Sequence, residues 1–499
     1  MAVGGLSRGG GVVKDDIVGK ATAPDASGGL RTQLDWSAYE GGAAGGGFGE
    51  GFGDSFGDPF GGFGLPAAAT SPGDGNGNGY LRAAALCQGK SQCQRKDVAG
   101  VMCPSFRATD DPLHSTRGRA EALRELLESG AGAEVDFSSP RVAEAMALCL
   151  GCKGCKRECP NGVDMALLRT EFLAQRAARL GVPRRDRLFA GITRQTRGRL
   201  LLRLALAVRN RLPPLAGLTE RLFGIARDRS LPLPAARPFA PAESVAAAGG
   251  REVLLLVDSF NRGFEPEVAQ AALEVLQAAG YAVRVLAPAV DDAEPQRPLC
   301  CGRSLLSYGL VEEARAEARR MMAALAPALA AGTPVIGLEP SCLYMLKDEY
   351  FSLGLGEAVG RLAPQVFLLE EFLASEQAAG RLKLALKPLP GPAALVHGHC
   401  HQKAQGGMAA VQVVLGLIPG FEFKLVEAGC CGMAGSFGLE AEHAALSRRI
   451  GESALLPAVR AAAPAAPLLA DGFSCRHQIR DGAGRRAEHV ALLLRRALA

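Results

Sequence analysis

The feature that most constrains this chain is a run of four cysteines and a proline, Cys149-x2-Cys152-x2-Cys155-x3-Cys159-Pro160. This is the spacing of the bacterial ferredoxin motif, in which three thiolates bind one [4Fe-4S] cluster and the fourth crosses to a neighbouring cluster. The sequence therefore predicts at least two clusters. A zinc site is less consistent with the run, because structural zinc sites usually combine two cysteine pairs from separated segments.

The neighbouring cluster is expected to draw on cysteines upstream of this run. Cys103-Pro104 repeats the pair Cys159-Pro160, so each of these cysteines should cross to the other site. The first site then has four thiolates, from Cys103, Cys149, Cys152 and Cys155. The second has three, from Cys87, Cys93 and Cys159. Its fourth position could be taken by Asp97, a cysteine from elsewhere or solvent; it could also hold a three-iron cluster, or no cluster.

Cysteine usage bears on the cellular compartment. The chain has 14 cysteines, and residues 1–20 contain Lys14, Asp15 and Asp16 where a signal peptide would have an apolar core. Because cytosolic thiols are kept reduced, we expect metal or redox chemistry rather than disulfides. No run approaches the roughly 20 uncharged apolar residues that cross a bilayer. We therefore expect a soluble, cytoplasmic protein.

A chain of 499 residues is expected to form several folded units. Residues 1–79 are predicted to be a flexible glycine-rich N-terminal segment and linker, because residues 41–79 are mostly glycine and bury too little apolar surface to offset ordering. Residues 80–180 carry seven cysteines among helical patterns, including a helix over 116–129. This part is predicted to be a ferredoxin-type iron-sulfur domain.

Residues 181–250 are predicted to be a basic helical linker. Residues 184–230 contain twelve Arg but three Asp or Glu, although the formal net charge of the whole chain is +5. The leucines at 200–206 indicate an amphipathic helix, which could lie on an anionic membrane surface, meet an acidic partner or pack on its own protein. Because no aromatic stacking platform accompanies the charge, we expect no nucleic-acid partner.

From residue 251 onward the chain repeats one order of elements with a period of about 130 to 140 residues. Residues 251–375 and 393–499 each contain two strands separated by a helix, then Cys-Cys-Gly, a long helix, and a third strand before Ser-Cys. The predicted strands are 253–258, 281–286, 334–338, 394–398, 421–426 and 468–471. The predicted helices are 266–279, 311–329, 408–418 and 440–461. This alternation favours parallel sheets covered on both faces, so each repeat is predicted to be a small α/β domain.

Four cysteines of the second repeat each follow a predicted strand: Cys400, Cys430, Cys431 and Cys475. Because α/β sheets bind ligands at the carboxyl edge, a third cluster is expected there. The first repeat offers three cysteines, because Asp258 stands where the second repeat has Cys400; the three are Cys300, Cys301 and Cys342. They either bind metal or are buried cysteines kept from a duplication.

Histidines and arginines lie close to the cysteine motifs. His397, His399 and His401 flank Cys400, and we expect them to form hydrogen bonds near the site rather than ligate metal. In residues 114–119, Ser115 or Thr116 can cap the following helix, and the two arginines could donate to cluster sulfurs or contact a partner. No Walker loop is present and no Gly-x-Gly-x-x-Gly opens a βαβ unit, so a flavin is expected on another chain.

The ferredoxin run followed by two Cys-Cys-Gly repeats resembles the iron-sulfur subunit of glycolate oxidase and a subunit of anaerobic glycerol-3-phosphate dehydrogenase. It is more similar still to the C-terminal half of fused FAD-linked oxidases of D-2-hydroxy acids such as D-lactate and 2-hydroxyglutarate. The likeness covers residues 80–499 and is carried by stretches 102–106, 114–120, 149–160, 339–342, 399–403, 429–438 and 471–476. Residues 34–37, Leu-Asp-Trp-Ser, look like the tail after the flavin domain in such oxidases, which suggests a split gene or a fragment without its flavin half.

The resemblance implies an α+β multidomain fold, with a helical ferredoxin-like [4Fe-4S] domain followed by two tandem α/β cysteine-rich (CCG) domains. It implies an oxidoreductase component that relays electrons from FAD on a partner dehydrogenase chain to a quinone, a cytochrome or another carrier. If the acceptor is a quinone, residues 184–230 are the expected place of peripheral contact with the inner face of the membrane.

Two alternatives remain open from the sequence. The Cys-Cys-Gly repeats are also similar to those of the heterodisulfide reductase family, which implies a thiol-disulfide oxidoreductase. That family has an additional cysteine two residues after the last one, where this chain has Tyr344 and His477, so a four-cysteine cluster in the second repeat is expected instead. The other alternative is a non-catalytic metal-stabilised module, which would contain zinc rather than iron.

Overall fold

The cysteine-rich N-terminal part of the chain is helical. The computed structural model describes residues 30–40, 78–97, 100–130, 135–192, 199–240 and 250–499. Helix α3 has the predicted bounds 116–129, and Ser115 begins it because its Oγ accepts a hydrogen bond from the Gly118 N–H. The helices of this unit are α1 (Asn78–Ala85), α2 (Pro104–Thr109), α3 (Thr116–Ser129), α4 (Pro140–Ala147), α5 (Gly154–Glu158) and α6 (Met165–Leu180).

Residues 30–40 pack against this helical unit. Leu34 and Trp36 are buried, and the Trp36 ring lies 5.0 Å from the Tyr80 ring. The Trp36 indole N–H donates to Glu171 Oε2 at 3.2 Å, and the Leu34 N–H donates to the same oxygen at 2.8 Å. The flexible segment predicted over residues 1–79 therefore contains a packed stretch. Residues 1–29 and 41–77 lie outside the described residues.

Three helices form the basic linker: α7 (Arg184–Gly191), α8 (Arg199–Arg211) and α9 (Pro213–Phe223). Helices α8 and α9 pack against each other as a hairpin. The hairpin turns at Leu212, because Pro213 and Pro214 lack the backbone N–H groups that would extend α8. No helix in the described part of the chain is long and apolar enough to span a membrane.

The C-terminal half contains two parallel sheets, one in each repeat. The first has the strand order β2-β1-β3-β4 and the second β6-β5-β7, and all neighbouring strands are parallel. The strands are β1 (Glu252–Leu256), β2 (Ala282–Val285), β3 (Val335–Gly337), β4 (Val366–Leu368), β5 (Ala394–Val396), β6 (Phe423–Leu425) and β7 (Leu468–Leu469). All six predicted strands are present, and β1 begins one residue before its predicted range. Strand β4 was not predicted.

Helices connect these strands and carry the cysteines. In the first repeat they are α10 (Ser259–Gly263), α11 (Pro266–Ala278), α12 (Arg303–Leu306), α13 (Val311–Ala330), α14 (Pro340–Lys347), α15 (Glu349–Ser352), α16 (Ala358–Leu362) and α17 (Leu369–Ala378). In the second they are α18 (Cys400–Ala404), α19 (Met408–Gly416), α20 (Ala444–Glu452), α21 (Leu455–Ala461), α22 (Phe473–Ala483) and α23 (Val490–Ala497).

The single helix predicted over 440–461 is wrong, because the chain forms α20 and α21 there. Ala454 leaves the helical conformation with a φ of −157°. Pro457 has no N–H with which to bond back to the Ser453 carbonyl, so a proline is tolerated in the first turn of α21 but not inside a continuous helix.

The two repeats pack against each other through their helices. The last helix of each repeat lies on the second helix of the other, as α23 lies on α11 and α17 lies on α19. One apolar core, with buried Val268 and Leu276 from the first repeat and Val414 and Leu494 from the second, fills the space between the sheets. This packing holds the carboxyl edges of the two sheets in a fixed relation.

Candidate metal centres

The first cysteine set lines one small cavity in the helical unit, and its members are Cys103, Cys149, Cys152 and Cys155. These are the four cysteines that the Cys-Pro crossover assigns to the first site. The backbone turns sharply around the cavity, since Cys103, Gly151 and Lys153 have φ values of 53°, 63° and 61°. The Cys-x2-Cys-x2-Cys loop therefore wraps around the space where a cluster would lie.

The N-terminus of α3 directs two backbone donors at thiols. The Thr116 N–H donates to Cys103 Sγ at 3.0 Å, and the Arg117 N–H donates to Cys93 Sγ at 3.4 Å. A helix N-terminus carries partial positive charge, which stabilises thiolates and an anionic cluster. The capping motif at residues 114–119 thus contacts one thiol of the first set and one of the second through its backbone.

The guanidinium groups of α3 have other partners. Arg117 Nε donates to Glu121 at 2.7 Å, and Arg119 Nε donates to the Ala145 carbonyl oxygen at 2.6 Å. These bonds help to fix α3 in place, and because Arg119 also lines the cavity of the first set, the suggested donation to cluster sulfurs stays a prediction.

The second set has three members, Cys87, Cys93 and Cys159. The pKa of Cys87 is raised mainly by burial, and the nearby Cys93 and Cys159 thiols raise it further, so the three lie close together. A hydrogen bond with the Cys103 thiol lowers the pKa of Cys93 to about 6. Cys103 therefore lies between the first and second sets. Asp97, considered as a fourth ligand, forms an exposed ion pair with Arg95 at 2.6 Å, and its role as a ligand stays a prediction.

The third set gathers at the carboxyl edge of the second sheet, and its members are Cys400, Cys430, Cys431 and Cys475. The thiols of Cys430 and Cys431 hydrogen-bond to each other, Cys430 also contacts Cys400, and Cys431 also contacts Cys475. All four are buried. The strands and helices of the second repeat thus bring four thiols into mutual contact.

Two basic side chains border the third set. His397 is buried beside Cys431, and its ring nitrogens have no nitrogen or oxygen partner among the described residues. Lys403 is half-buried, and its Nζ donates to the Gly429 carbonyl oxygen at 3.2 Å. A buried imidazole beside a thiol, without another partner, fits a cluster whose sulfurs accept hydrogen bonds.

The fourth set, Cys300, Cys301 and Cys342, repeats this geometry in the first sheet. Cys301 hydrogen-bonds to both Cys300 and Cys342. Gly302 and Gly432 have nearly equal φ values of 89° and 91°, and each N–H lies 3.4 Å from the first Sγ of its Cys-Cys pair. The two Cys-Cys-Gly turns are therefore alike.

The residue that matches Cys400 in the first repeat is Ser259, and the sequence-based match of Cys400 to Asp258 is wrong. Asp258 caps α10 by accepting hydrogen bonds from the Phe260 and Asn261 N–H groups. His399 caps α18 in the same way, so Asp258 corresponds to His399. The first residue is therefore Ser259 in α10 and Cys400 in α18. The fourth set therefore has a hydroxyl where the third has a thiol.

The first and third sets are direct neighbours. Helix α5 packs against α18, and Cys152, Cys400 and Cys430 belong to one apolar cluster. Burial, followed by the neighbouring Cys400 thiol, raises the pKa of Cys152. His401 joins the two units, because its Nε2 donates to the Gly151 carbonyl oxygen at 2.9 Å.

A buried charge network supports the loop of the first set. Lys153, between Cys152 and Cys155, forms ion pairs with Asp164 at 2.8 Å, Asp348 at 3.1 Å and Glu349 at 3.4 Å. Burial alone would lower the pKa of Lys153, but these carboxylates outweigh burial and raise it. No sequence pattern indicated this network, since two of the carboxylates lie in the first repeat.

A central cavity of about 620 Å³ lies between the helical unit and the two repeats. Cysteines of three sets reach its wall: Cys149, Cys300, Cys301, Cys342 and Cys400. Tyr308, Glu440 and His443 form a hydrogen-bonded group in the same wall. No sequence motif indicated these three residues, because they come together only when the two repeats pack against each other.

The donor sets fit iron-sulfur clusters. Burial raises the pKa of Cys155 to about 12, so its thiol is protonated at neutral pH until a metal replaces the proton. The first and third sets each offer four sulfur donors, the number that a [4Fe-4S] cluster bound by cysteines needs.

Residues 83–163 match the family described as 4Fe-4S dicluster domain. This range contains the seven cysteines of the first and second sets. The helical unit is therefore a domain of the 4Fe-4S type, as the ferredoxin run predicted.

The curated relatives are oxidoreductases or oxidoreductase subunits, and they match between 47% and 83% of the chain. The chain is 28% identical to D-2-hydroxyglutarate dehydrogenase of Escherichia coli (strain K12), over 83% of this chain and 43% of that protein. It is 29% identical to a subunit of the anaerobic glycerol-3-phosphate dehydrogenase of the same organism, over 47% of this chain and 56% of the relative. It is 26% identical to the glycolate oxidase iron-sulfur subunit of Escherichia coli (strain K12), over 72% of this chain and 83% of that protein.

These matches confirm the resemblance found from the motifs. The chain spans less than half the length of the D-2-hydroxyglutarate dehydrogenases that it matches. No solved structure matches the chain significantly.

Proposed function

We propose that this chain is the iron-sulfur component of an FAD-linked 2-hydroxyacid dehydrogenase and relays electrons from the flavin to an acceptor. The observation that carries the proposal is the contact between the first and third cysteine sets, where Cys152 adjoins Cys400. Because electron transfer slows steeply with distance, neighbouring metal centres in one apolar environment provide a path through the protein.

In this proposal the chain holds three clusters in a helical ferredoxin-like domain followed by two tandem α/β CCG domains. The first and third sets each bind a [4Fe-4S] cluster through four thiolates. The second set binds another, with its fourth position completed by a further ligand. The fourth set binds no cluster, because Ser259 replaces the thiol that Cys400 supplies in the second repeat.

The chemistry begins on a partner chain. Oxidation of a 2-hydroxy acid to a 2-oxo acid transfers two electrons and two protons to FAD. The reduced flavin then passes the electrons one at a time to the clusters of this chain. The residues of this chain hold the irons and set their potentials through N–H···S hydrogen bonds and buried charges. The names of the relatives support glycolate, D-2-hydroxyglutarate or a similar substrate.

The thiol-disulfide alternative gains no support at the two positions that distinguish it. The Tyr344 hydroxyl donates to Glu371 Oε1, and His477 Nε2 donates to the Ser230 carbonyl oxygen at 2.9 Å. Both side chains therefore have structural partners where that family carries an additional cysteine.

The hairpin of α8 and α9 is proposed to rest on an anionic membrane surface on the cytoplasmic side. On α8, Leu200, Leu201 and Leu204 are 64%, 75% and 62% exposed and lie on one face. Leu218 and Leu222 of α9 are also exposed, as are Arg211 and Arg221. Apolar side chains flanked by arginines are typical of helices at a lipid interface.

The test compares equivalent cysteines in the two repeats. We expect Cys431→Ser to lose about four irons per chain, because it removes a ligand of the third cluster. Cys301→Ser is the matched control, since Cys301 has the same position in the other Cys-Cys-Gly turn, and we expect its iron content to equal that of the wild type.

The same pair tests the relay. After anaerobic reduction with the flavin partner and substrate, Cys431→Ser should pass electrons to ferricyanide more slowly than Cys301→Ser. Unchanged iron and unchanged transfer in Cys431→Ser would contradict the proposal.

A further inference from the structure

Three buried side chains meet where the two repeats pack against each other, outside the wall of the central cavity. Glu370 lies in the first turn of α17, Asp471 follows β7, and His489 is the N-cap of α23. They are 1%, 3% and 0% exposed, and one possible ligand atom of each lies within 4.8 Å of the other two. Because metal–oxygen bonds are about 2.0–2.6 Å long, two ligand atoms of one ion are at most about 4–5 Å apart. The spacing of the three side chains therefore fits a single metal ion.

The carboxylate of Glu370 is buried without a partner. Neither of its oxygens accepts a hydrogen bond from another residue in the described part of the chain. Burial, followed by the nearby Asp471, raises the pKa of Glu370 well above its usual range. Because buried charges in proteins are paired or bound to metals, this carboxylate requires either a proton or a cation.

The basic groups beside the two carboxylates have other partners. Arg476 Nη1 donates to the backbone carbonyl oxygen of Asp471 at 2.6 Å rather than to its carboxylate. His489 Nδ1 accepts the Ala491 N–H at 3.0 Å, and His489 Nε2 donates to the Leu338 carbonyl oxygen at 3.0 Å. An imidazole with one accepting and one donating nitrogen is neutral, and burial also lowers the pKa of His489. His489 therefore does not supply the missing positive charge.

Asp471 is held in place by neutral donors. Gln402 Nε2 donates to Asp471 Oδ2 at 3.1 Å, and the Val490 N–H donates to Asp471 Oδ1 at 3.1 Å. These bonds orient the carboxylate and leave its charge uncompensated. Gln402 lies on α18, which begins at Cys400, and Asp471 lies shortly before Cys475 in the sequence. The carboxylate pair is therefore close to the elements that carry the third set.

We propose that Glu370 and Asp471 bind one divalent cation between the two repeats, with the imidazole of His489 on the third side. Carboxylate oxygens are the ligands that Mg²⁺, Ca²⁺ and Mn²⁺ prefer. The ion balances two buried negative charges and joins α17 of the first repeat to the segment after β7 in the second. The site is structural, and it stands independently of the electron relay.

Binding is tested with Mn²⁺ as the probe. The full chain is purified anaerobically from cells grown with added Mn²⁺, so that the ion meets the chain as it folds, and gel filtration removes unbound Mn²⁺. Elemental analysis should find about one Mn²⁺ per chain, as one pair of carboxylates provides for one ion. Glu370→Gln keeps the size of the side chain and removes its charge, so bound Mn²⁺ should fall by about tenfold or more.

Glu442→Gln is the matched control. Glu440, Glu442 and His443 form another group of two carboxylates and an imidazole, but there Arg185 supplies a positive charge 2.8 Å from Glu442. This variant should bind as much Mn²⁺ as the wild type.

Thermal unfolding separates binding from a change in folding. An ion that binds only the folded chain raises its melting temperature. Added Mn²⁺ should therefore raise the melting temperatures of the wild type and Glu442→Gln above their values in EDTA, and it should leave that of Glu370→Gln unchanged. In EDTA, Glu370→Gln should melt no lower than the wild type, because the unpaired buried carboxylate is gone.

The outcomes distinguish this inference from the proposed function. If the wild type binds no Mn²⁺, or if Glu370→Gln binds as much as Glu442→Gln, Glu370 is buried as a protonated acid and the cation site is refuted. Iron measured in the same samples tests the relay separately. A folded chain with Mn²⁺ but no iron would refute the relay and support the cation site.

Discussion

At the residue scale, buried charge and buried thiols depend on each other around the first cysteine set. Lys153 lies in the ligand loop itself and is surrounded by carboxylates from the helical unit and the first repeat. In the proposed cluster site its positive charge would lie beside the thiolates that hold the iron. Lys153 also connects the helical unit to the first repeat, since Asp348 and Glu349 belong to that repeat.

Lys153→Met is expected to lower the free energy of unfolding by about 3–5 kcal/mol, because it leaves Asp164, Asp348 and Glu349 buried together without their cation. Denaturant unfolding followed by circular dichroism measures the change. Lys96→Met is the control, since its pair with Asp110 is 71% and 66% exposed, and it should cost less than about 1 kcal/mol. Equal losses in the two variants would contradict the role of the network.

The buried carboxyl of Glu339 makes the free energy of unfolding depend on pH. Burial, followed by the nearby Asp258, raises the pKa of its carboxyl from 4.5 to about 7. The folded state therefore holds this proton more tightly than the unfolded state. The stability from Glu339 is fully present below pH 4.5 and is lost as the pH rises through 7, by about 3 kcal/mol in all.

Glu339→Gln should remove this loss. Between pH 5 and 8 the melting temperature of the wild type should fall relative to that of the variant, as measured by differential scanning calorimetry on the cluster-loaded protein. Parallel curves for the two proteins over this range would show that Glu339 does not titrate there.

At the scale of elements, α8 shows how one helix can serve two environments. Its inward leucines line the central cavity, and its outward leucines have no cover in the described chain. Arg209 lies near the end of α8 and is buried, where its Nη2 donates to the Ala226 carbonyl oxygen at 2.6 Å. Part of the basic charge of the linker therefore holds the hairpin to its own protein, and the exposed arginines can meet an anionic surface.

Leu201→Glu combined with Leu204→Glu should abolish binding to vesicles, because both carboxylates would lie on the apolar face of α8 against anionic lipid. Co-sedimentation with phosphatidylglycerol-containing vesicles measures the effect. Wild-type binding should weaken as salt is added. Val290→Glu, at a fully exposed loop position outside the hairpin, is the control and should leave binding unchanged. Equal sedimentation of all three proteins would rule out this face.

Elements with strong local signals could be predicted from the sequence, and elements set by distant contacts could not. Helix α3 has the predicted bounds because Ser115 caps it locally. The short β4 has no comparable signal, since it forms only by pairing with β3. The four thiols of the third set follow from strand order, whereas the match between Ser259 and Cys400 required the two helix caps. The contact of Cys152 with Cys400 depends on tertiary packing, for which the sequence has no local pattern.

At the scale of the whole molecule, the parts are arranged around the central cavity. The helical unit contributes Cys149 of the first set to the cavity wall, and the second repeat contributes Cys400 of the third set. The linker helix α8 forms another side of the wall. The packed stretch at residues 30–40 fastens the chain that precedes the helical unit through Glu171.

The most direct measurement is iron and acid-labile sulfide on the anaerobically purified full chain, followed by electron paramagnetic resonance. We expect about twelve irons and about twelve sulfides per chain, with interacting signals after reduction because the first and third clusters are neighbours. A colourless protein that is well folded and contains no iron would contradict the assignment of these cysteines to clusters.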